Sequence, residues 1–261
     1  MREGSVIGRH PLVAFFVLAY ALSWGSYFAF GGAGYFAFGS VVAAVVVAFA
    51  TEGVAGLKDL GLRCVRVRVK AATYLAAVIV PFIIGMIPLY LTMLGGGPQP
   101  LFNGRWYLSL LAMIPMAPVD APLWEEAGWR GFAMPRFPAE RPRILNTLIL
   151  GVLLAGWHLP IALANWAIAA PYLITTVLSA FVTNWIYYNA RRSALLAMLY
   201  HATANAVGIT FYQRYTGADQ VRLFWFLAAT NLVAGIIVVI AERKMWFGRE
   251  DAGDLLLVSA A

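Results

Sequence analysis

Long apolar stretches separated by short polar ones dominate this chain. A helix needs roughly 20 residues to cross a bilayer core of about 30 Å, and eight apolar stretches approach that length. The pattern predicts an all-α, polytopic integral membrane protein with about eight transmembrane helices in a single domain, residues 1–261. The predicted spans are 11–31, 33–55, 71–94, 106–123, 144–164, 171–189, 193–212 and 223–240.

The composition supports this class of protein. Hydrophobic residues make up 62% of the chain and charged residues only 12%, against roughly 45–50% and about 25% in soluble domains. The single cysteine, Cys64, excludes an intramolecular disulfide and a cysteine-based zinc cluster. We interpret it as an ordinary residue in a loop beside the bilayer.

Charge predicts the orientation. The net charge is +7, but the basic residues lie in short clusters between apolar stretches, which argues against a nucleic acid partner. With a cytoplasmic N-terminus, all 19 basic residues except Arg105, Arg214 and Arg222 fall on the inner side. This count places Arg130 in an inner loop. We therefore predict a plasma-membrane protein with both termini cytoplasmic, a first span retained as an anchor, and a segment 56–70 lying on the inner leaflet.

Charged residues inside apolar stretches are costly and are therefore functional candidates. Glu125, Glu126 and Arg130 occur together in APLWEEAGWRGF, where the fourth predicted span ends. Glu126 and Arg130 are four residues apart and can form an ion pair on one helix face. Glu125 points about 100° away from Glu126 and is left for another role. The alternative is that all three residues only brace a helix end at the head groups.

Two histidines and one asparagine complete the set of candidates. His158 lies in LLAGWHLP, and His201 precedes Asn205 by one helical turn, so these two share a face. A lone membrane histidine more often makes an interhelical hydrogen bond than acts in catalysis. The remaining histidine, His10, is expected at the membrane interface.

Together these residues suit hydrolysis. A carboxylate with an imidazole can deprotonate water, and an imidazole with a carboxamide can stabilise an oxyanion. Alternatively, Glu125, His158 and His201 could hold zinc or another divalent metal with one position open for water. The HExxH helix of soluble zinc proteases is absent, and so is a Gly-rich phosphate loop.

Three segments of the chain, EEAGWRGF, GWHLP and HATAN, resemble the three ordered motifs of the CPBP intramembrane proteases. That family includes the type II CAAX prenyl endopeptidases and the bacteriocin self-immunity (Abi) proteins. The resemblance covers residues 118–207, which we predict to be the catalytic core. One position departs from the family pattern: Leu154 stands where phenylalanine is common, four residues before the motif histidine.

The resemblance implies an intramembrane endopeptidase. Glu125 matches the glutamate thought to activate water, and His158 matches its assistant. His201 and Asn205 match the pair thought to stabilise the oxyanion. The family is widely labelled as metalloproteases, yet a metal-free glutamate mechanism has also been argued. The cofactor is therefore zinc, another divalent metal, or none.

The same resemblance gives Glu126 and Arg130 a supporting role beside the catalytic set. It also implies a membrane-associated peptide or protein substrate, with or without an attached lipid. Two other functions stay open from the sequence. One is a non-proteolytic immunity or scaffold protein, and the other is a proton or ion transporter, although no paired inverted repeats are visible.

Overall fold

The computed structural model describes residues 6–32, 35–99, 107–108, 111 and 121–248, and this part of the chain contains helices and turns but no strand. Its longer elements are α1 Val6–Arg9, α2 Pro11–Ala29, α3 Gly39–Cys64, α4 Ala71–Leu94, α5 Ala121–Glu126, α6 Arg143–Trp157, α7 Leu159–Leu163, α8 Trp166–Asn189, α9 Ala194–Phe211, α10 Gly217–Ala241 and α11 Arg243–Phe247. A π-helix, Ala127–Ala133, and a 3-10 turn, Met134–Arg136, continue directly from α5, and a second 3-10 turn, Tyr212–Arg214, follows α9.

Six helices of the described part are long and apolar enough to cross a membrane: α2, α3, α4, α8, α9 and α10. The prediction of an all-helical, polytopic membrane protein is confirmed. The number of spans stays a prediction, because most of the fourth predicted span lies outside the described residues. Arg2, Arg105 and Arg249, which entered the charge count, lie outside them as well.

The fifth predicted span is wrong as a single helix. Residues 144–164 form α6 and the short α7, with His158 at the junction between them. Proline at position 160 has no N–H to continue the hydrogen-bond ladder of α6, and the helix ends three residues earlier, at Trp157. His158 therefore lies at a helix end facing the protein interior.

The predicted inner end of the fourth span is also wrong. Helical backbone does not stop near residue 123 but continues through α5, the π-helix and the 3-10 turn as far as Arg136. Arg130 is consequently only 2% exposed, so its assignment to an inner loop is wrong too. The polar stretch can stay helical and buried because its charges pair with other protein groups, as buried charges must.

The third span also differs in length. Helix α3 runs beyond residue 55 to Cys64 and is kinked at Gly53, whose φ of 64° and ψ of −145° suit a residue without a Cβ. The amphipathic stretch after the kink is helical, and within it the Arg63 Nε donates to the Asp59 carboxylate over 2.8 Å. This helical stretch forms the first part, up to Cys64, of the segment 56–70 that the sequence predicts on the inner leaflet.

The helices pack so that the motif segments meet in the middle. Helix α8 packs against α6 and α10, α4 packs against α9 and α10, and α3 packs against α2 and the π-helix. At Gly128 a Cβ would lie 2.8 Å from the Cβ of Ser40 on α3, so only glycine permits this close approach. The Trp129 ring of the π-helix packs against the rings of Phe15 on α2 and Trp157 on α6, and these contacts anchor the π-helix.

Candidate active site

A cavity of about 390 Å³ lies between the helices, within the size range of ligand pockets. The six candidate residues all line it: Glu125, Glu126, Arg130, His158, His201 and Asn205. They come from α5, the π-helix, the α6–α7 junction and α9. The structure therefore brings together every residue that the sequence proposed for the site. The exposed His10 does not line the cavity.

Glu125 and His158 face each other across a short gap. The glutamate Oε2 lies 3.7 Å from the histidine Nε2, and the Glu125 side chain is buried. The His158 Nδ1 lies 2.9 Å from the Leu154 carbonyl oxygen. Because a carbonyl can only accept, Nδ1 carries the proton, and in the neutral ring Nε2 presents a lone pair to Glu125. Two acceptors that face each other in this way can share a water molecule that donates to both.

Aromatic donors hold the end of α6 that carries His158. The Trp157 carbonyl accepts hydrogen bonds from Trp24 Nε1 over 2.9 Å and from the Tyr35 hydroxyl over 2.6 Å. One turn earlier, the Leu153 carbonyl accepts a hydrogen bond from the Tyr20 hydroxyl. These carbonyls belong to the last turn of the helix, where partners within the helix are missing. Two aromatic residues of α2 and one from the connection between α2 and α3 thus position the histidine, a role that the sequence alone does not reveal.

Glu126, in contrast to Glu125, is held by several short hydrogen bonds. Its two carboxylate oxygens accept from the Arg130 Nη1 over 3.0 and 2.9 Å, which confirms the predicted ion pair. The His201 Nδ1 also donates to Glu126, over 3.0 Å. The sequence pairs His201 only with Asn205 and gives no sign of this bond.

Asn184 on α8 is a further member of the site that the sequence reasoning missed. It is fully buried, and its Oδ1 accepts from the Arg130 Nε over 3.0 Å while its Nδ2 donates to the Thr147 hydroxyl over 2.9 Å. A chain of hydrogen bonds thus runs from Thr147 through Asn184, Arg130 and Glu126 to His201. The available signal was polarity: the predicted sixth span is unusually rich in threonine and asparagine for a membrane helix.

His201 has only its Nε2 left for the cavity, because Nδ1 is bonded to Glu126. Its side chain is 24% exposed. Nε2 can donate a hydrogen bond when the ring is doubly protonated, and the buried group of Glu125, Glu126, Arg130 and His201 is then electrically neutral. Low-dielectric surroundings favour neutral assemblies of charge. Asn205, one turn further along α9, lines the same cavity.

The alternative of a metal site fits this arrangement poorly. Among the residues that the structure describes, no three His, Cys, Asp or Glu side chains are grouped to hold a metal ion. Glu125 lies against His158, whereas His201 is bonded to the other glutamate. The proposed ligands are thus divided between two pairs and do not form a single triad.

Residues 106–207 match the family model described as type II CAAX prenyl endopeptidase Rce1-like. No curated protein sequence matches the chain. The matched segment contains all six candidate residues and extends over the three motifs. Over residues 106–207, the match therefore confirms the resemblance to the CPBP intramembrane proteases that the three motifs predict.

Proposed function

We propose that the protein is an intramembrane endopeptidase that hydrolyses a peptide bond near the cytoplasmic face of the membrane. The observation that carries the proposal is the pair of acceptors, Glu125 Oε2 and His158 Nε2, set 3.7 Å apart in a cavity that His201 and Asn205 also line. The match to a protease family supports the same reaction class.

In the proposed first step, a water molecule donates hydrogen bonds to Glu125 and His158. Glu125 takes a proton from this water as general base, and the resulting hydroxide attacks the carbonyl carbon of the scissile peptide bond. The Leu154 carbonyl holds the proton on the His158 Nδ1, so the Nε2 keeps its lone pair for the water.

In the second step, the tetrahedral oxyanion accepts hydrogen bonds from His201 and the Asn205 carboxamide. Glu126 accepts a hydrogen bond from the His201 Nδ1 and so keeps the ring in the required orientation. The proton held by Glu125 then passes to the leaving nitrogen, the C–N bond breaks, and the products are a carboxylic acid and an amine. Arg130 compensates the charge of Glu126 throughout.

The cytoplasmic side is proposed from the position of the basic residues. The Arg66 Nη1 donates to the Arg191 carbonyl over 2.7 Å, so two basic loops meet at one end of the bundle. Arg136 pairs with Glu52 beside the kink of α3. By the positive-inside rule we take this end to be cytoplasmic, and the same rule predicts cytoplasmic termini. Glu125 lies 11 residues before Arg136 on the same continuous helical segment.

The test is a comparison of membrane peptides between cells with the wild-type protein and cells with the Glu125→Ala variant. Mass spectrometry should detect one or more membrane peptides that accumulate uncleaved in the variant. Glu140→Ala removes an exposed carboxylate and serves as the matched control, with a pattern like the wild type. Identical peptide patterns in all three strains, with folded protein present, would contradict the proposal.

A non-proteolytic immunity or scaffold role predicts a different result. In that case the Glu125→Ala variant restores the phenotype of a deletion strain as fully as the wild type does. An endopeptidase role predicts that complementation fails while the variant still accumulates as folded protein in the membrane.

A further inference from the structure

One wall of the cavity is a row of hydroxyl groups on α8. Thr175, Ser179 and Thr183 each lie one helical turn apart and all line the cavity. The row begins beside Tyr172, whose ring lies 5.9 Å from that of His158. It therefore extends from the proposed catalytic pair along the length of the cavity.

The protons of these hydroxyls are used within α8 itself. Thr175 donates to the Pro171 carbonyl over 2.7 Å, Ser179 donates to the Thr176 carbonyl over 3.1 Å, and Thr183 donates to the Ser179 carbonyl over 2.9 Å. A hydroxyl oxygen has two further lone pairs after its proton is used. The row therefore offers hydrogen-bond acceptors to the cavity.

The neighbouring wall has the same polarity. On α10, one N–H of the Asn231 Nδ2 donates to the Leu227 carbonyl over 2.9 Å, and the Oδ1 can accept a hydrogen bond from a ligand. The Tyr212 hydroxyl, also in the lining, donates to the Gly85 carbonyl over 2.8 Å. Hydroxyl and carboxamide oxygens thus line the wall formed by α8, α10 and the turn after α9, whereas the proposed oxyanion donors, His201 and Asn205, come from α9 itself.

The spacing of the row matches an extended peptide. Residues four apart in an α-helix rise about 6.0 Å, and alternate residues of an extended chain, whose N–H groups point to the same side, repeat about every 6.6 Å. Over three hydroxyls the two repeats differ by about 1 Å, which side-chain rotation can absorb. We infer that Thr175, Ser179 and Thr183 form an acceptor ladder that binds the N–H edge of an extended substrate main chain. This inference rests on the proposed peptidase function.

The ladder replaces the main-chain hydrogen bonds that a substrate loses when its helix unwinds. Inside a bilayer the N–H groups of a spanning peptide are satisfied within its own helix, and exposing them unpaired is costly. Acceptors along α8 replace those bonds for the segment that enters the cavity. Recognition is then directed at the peptide main chain and is independent of side-chain identity, while a hydrocarbon chain has no donor to offer this wall.

The experiment measures binding to full-length protein carrying Glu125→Gln in lipid nanodiscs, so that cleavage plays no part. The probes are acetyl-Ala-Val-Ala-Val-Ala methyl ester and an analogue in which ester oxygens replace all five main-chain N–H groups. Equilibrium dialysis should show that the peptide binds at least about 30-fold more tightly, since three hydrogen bonds contribute about threefold or more each. In the added triple variant Thr175→Val, Ser179→Ala, Thr183→Val, this ratio should fall to within about threefold.

Two matched variants separate the ladder from the fold. Thr51→Val, Thr203→Val and Thr230→Val together remove the same kind of bond, to the carbonyl four residues earlier, at positions outside the cavity lining. This control should keep the full ratio. So should Thr175→Ser with Ser179→Thr and Thr183→Ser, which keeps every hydroxyl.

A ratio that persists without the three hydroxyls, or a peptide with no saturable binding, would overturn the ladder. Equal binding of peptide and ester analogue would do the same and would indicate an apolar ligand along this wall. Because the binding protein is inactive, the outcome is separate from the test of cleavage. A preserved ratio with unchanged peptide patterns between strains would leave a peptide-binding site without a protease.

Discussion

Two adjacent carboxylates on one helical segment have contrasting surroundings. Glu126 is bonded to Arg130 and His201, and Arg130 is itself held by Asn184. Glu125 faces His158 at 3.7 Å, which is too long for a direct hydrogen bond. Both carboxylates are buried in the same cavity wall.

The difference separates support from chemistry. A carboxylate whose oxygens are already bonded has little capacity left to take a proton from water, because the new proton would compete with existing bonds. Glu125 instead lines the cavity opposite the His158 Nε2, where it can take a proton from a shared water molecule. Substitution of either glutamate therefore tests whether Glu125 and Glu126 have different roles.

The largest effect is expected at Glu125. The Glu125→Gln substitution keeps the shape of the side chain but removes the base, so the rate of substrate cleavage should fall by about a thousandfold or more. The midpoint of unfolding in detergent should change little, because the ion pair of Glu125 with His158 is long, at 3.7 Å. A variant that keeps more than a tenth of the wild-type cleavage rate would contradict the proposed role.

Glu126→Gln, in contrast to Glu125→Gln, should act strongly on stability. It leaves the Arg130 charge buried without its partner, which typically costs about 3–5 kcal/mol. We expect a large loss in the free energy of unfolding, measured by titration with a denaturing detergent. Equal stability of the Glu125→Gln and Glu126→Gln variants would remove the distinction between the two sites.

Asn184 is bonded to Arg130, the partner of Glu126, so its substitution tests the next step in the chain of hydrogen bonds that supports Glu126. Asn184→Leu leaves the Arg130 Nε and the Thr147 hydroxyl without their partner, at a cost of about 1–3 kcal/mol. The 15N resonances of the three imidazoles, assigned with single His→Gln variants, should show a changed signal for His201 and an unchanged one for His158. Shifts of equal size at both histidines would indicate general disruption of the fold.

The smallest effect is expected from chelation. Because the proposed ligands are divided between two pairs, purified protein dialysed against a strong chelator should retain its cleavage rate within about twofold. Loss of activity that one divalent metal restores would show that His201 and Glu125 approach each other in the working enzyme. Elemental measurement of the protein before and after dialysis is the control.

Local patterns in the sequence were sufficient for part of this picture. The apolar stretches predict a helical membrane protein because bilayer thickness sets helix length. The Glu126–Arg130 pair follows from a spacing of four residues, which brings side chains together within any helix. The end of the fourth span could not be predicted in this way, since its polar residues remain helical only because α8 and α9 supply partners for them.

The sequence by itself determined the membrane class, the three motifs and the residues capable of hydrolysis, because these depend on composition and short spacing. Only the tertiary structure decided that Glu125 meets His158 and that Glu126 meets His201, since the latter pair is 75 residues apart along the chain. It also decided that Asn184 supports Arg130 and that the α8 hydroxyls line the cavity. Which face of a helix meets which neighbour is a result of packing, and no local pattern contains it.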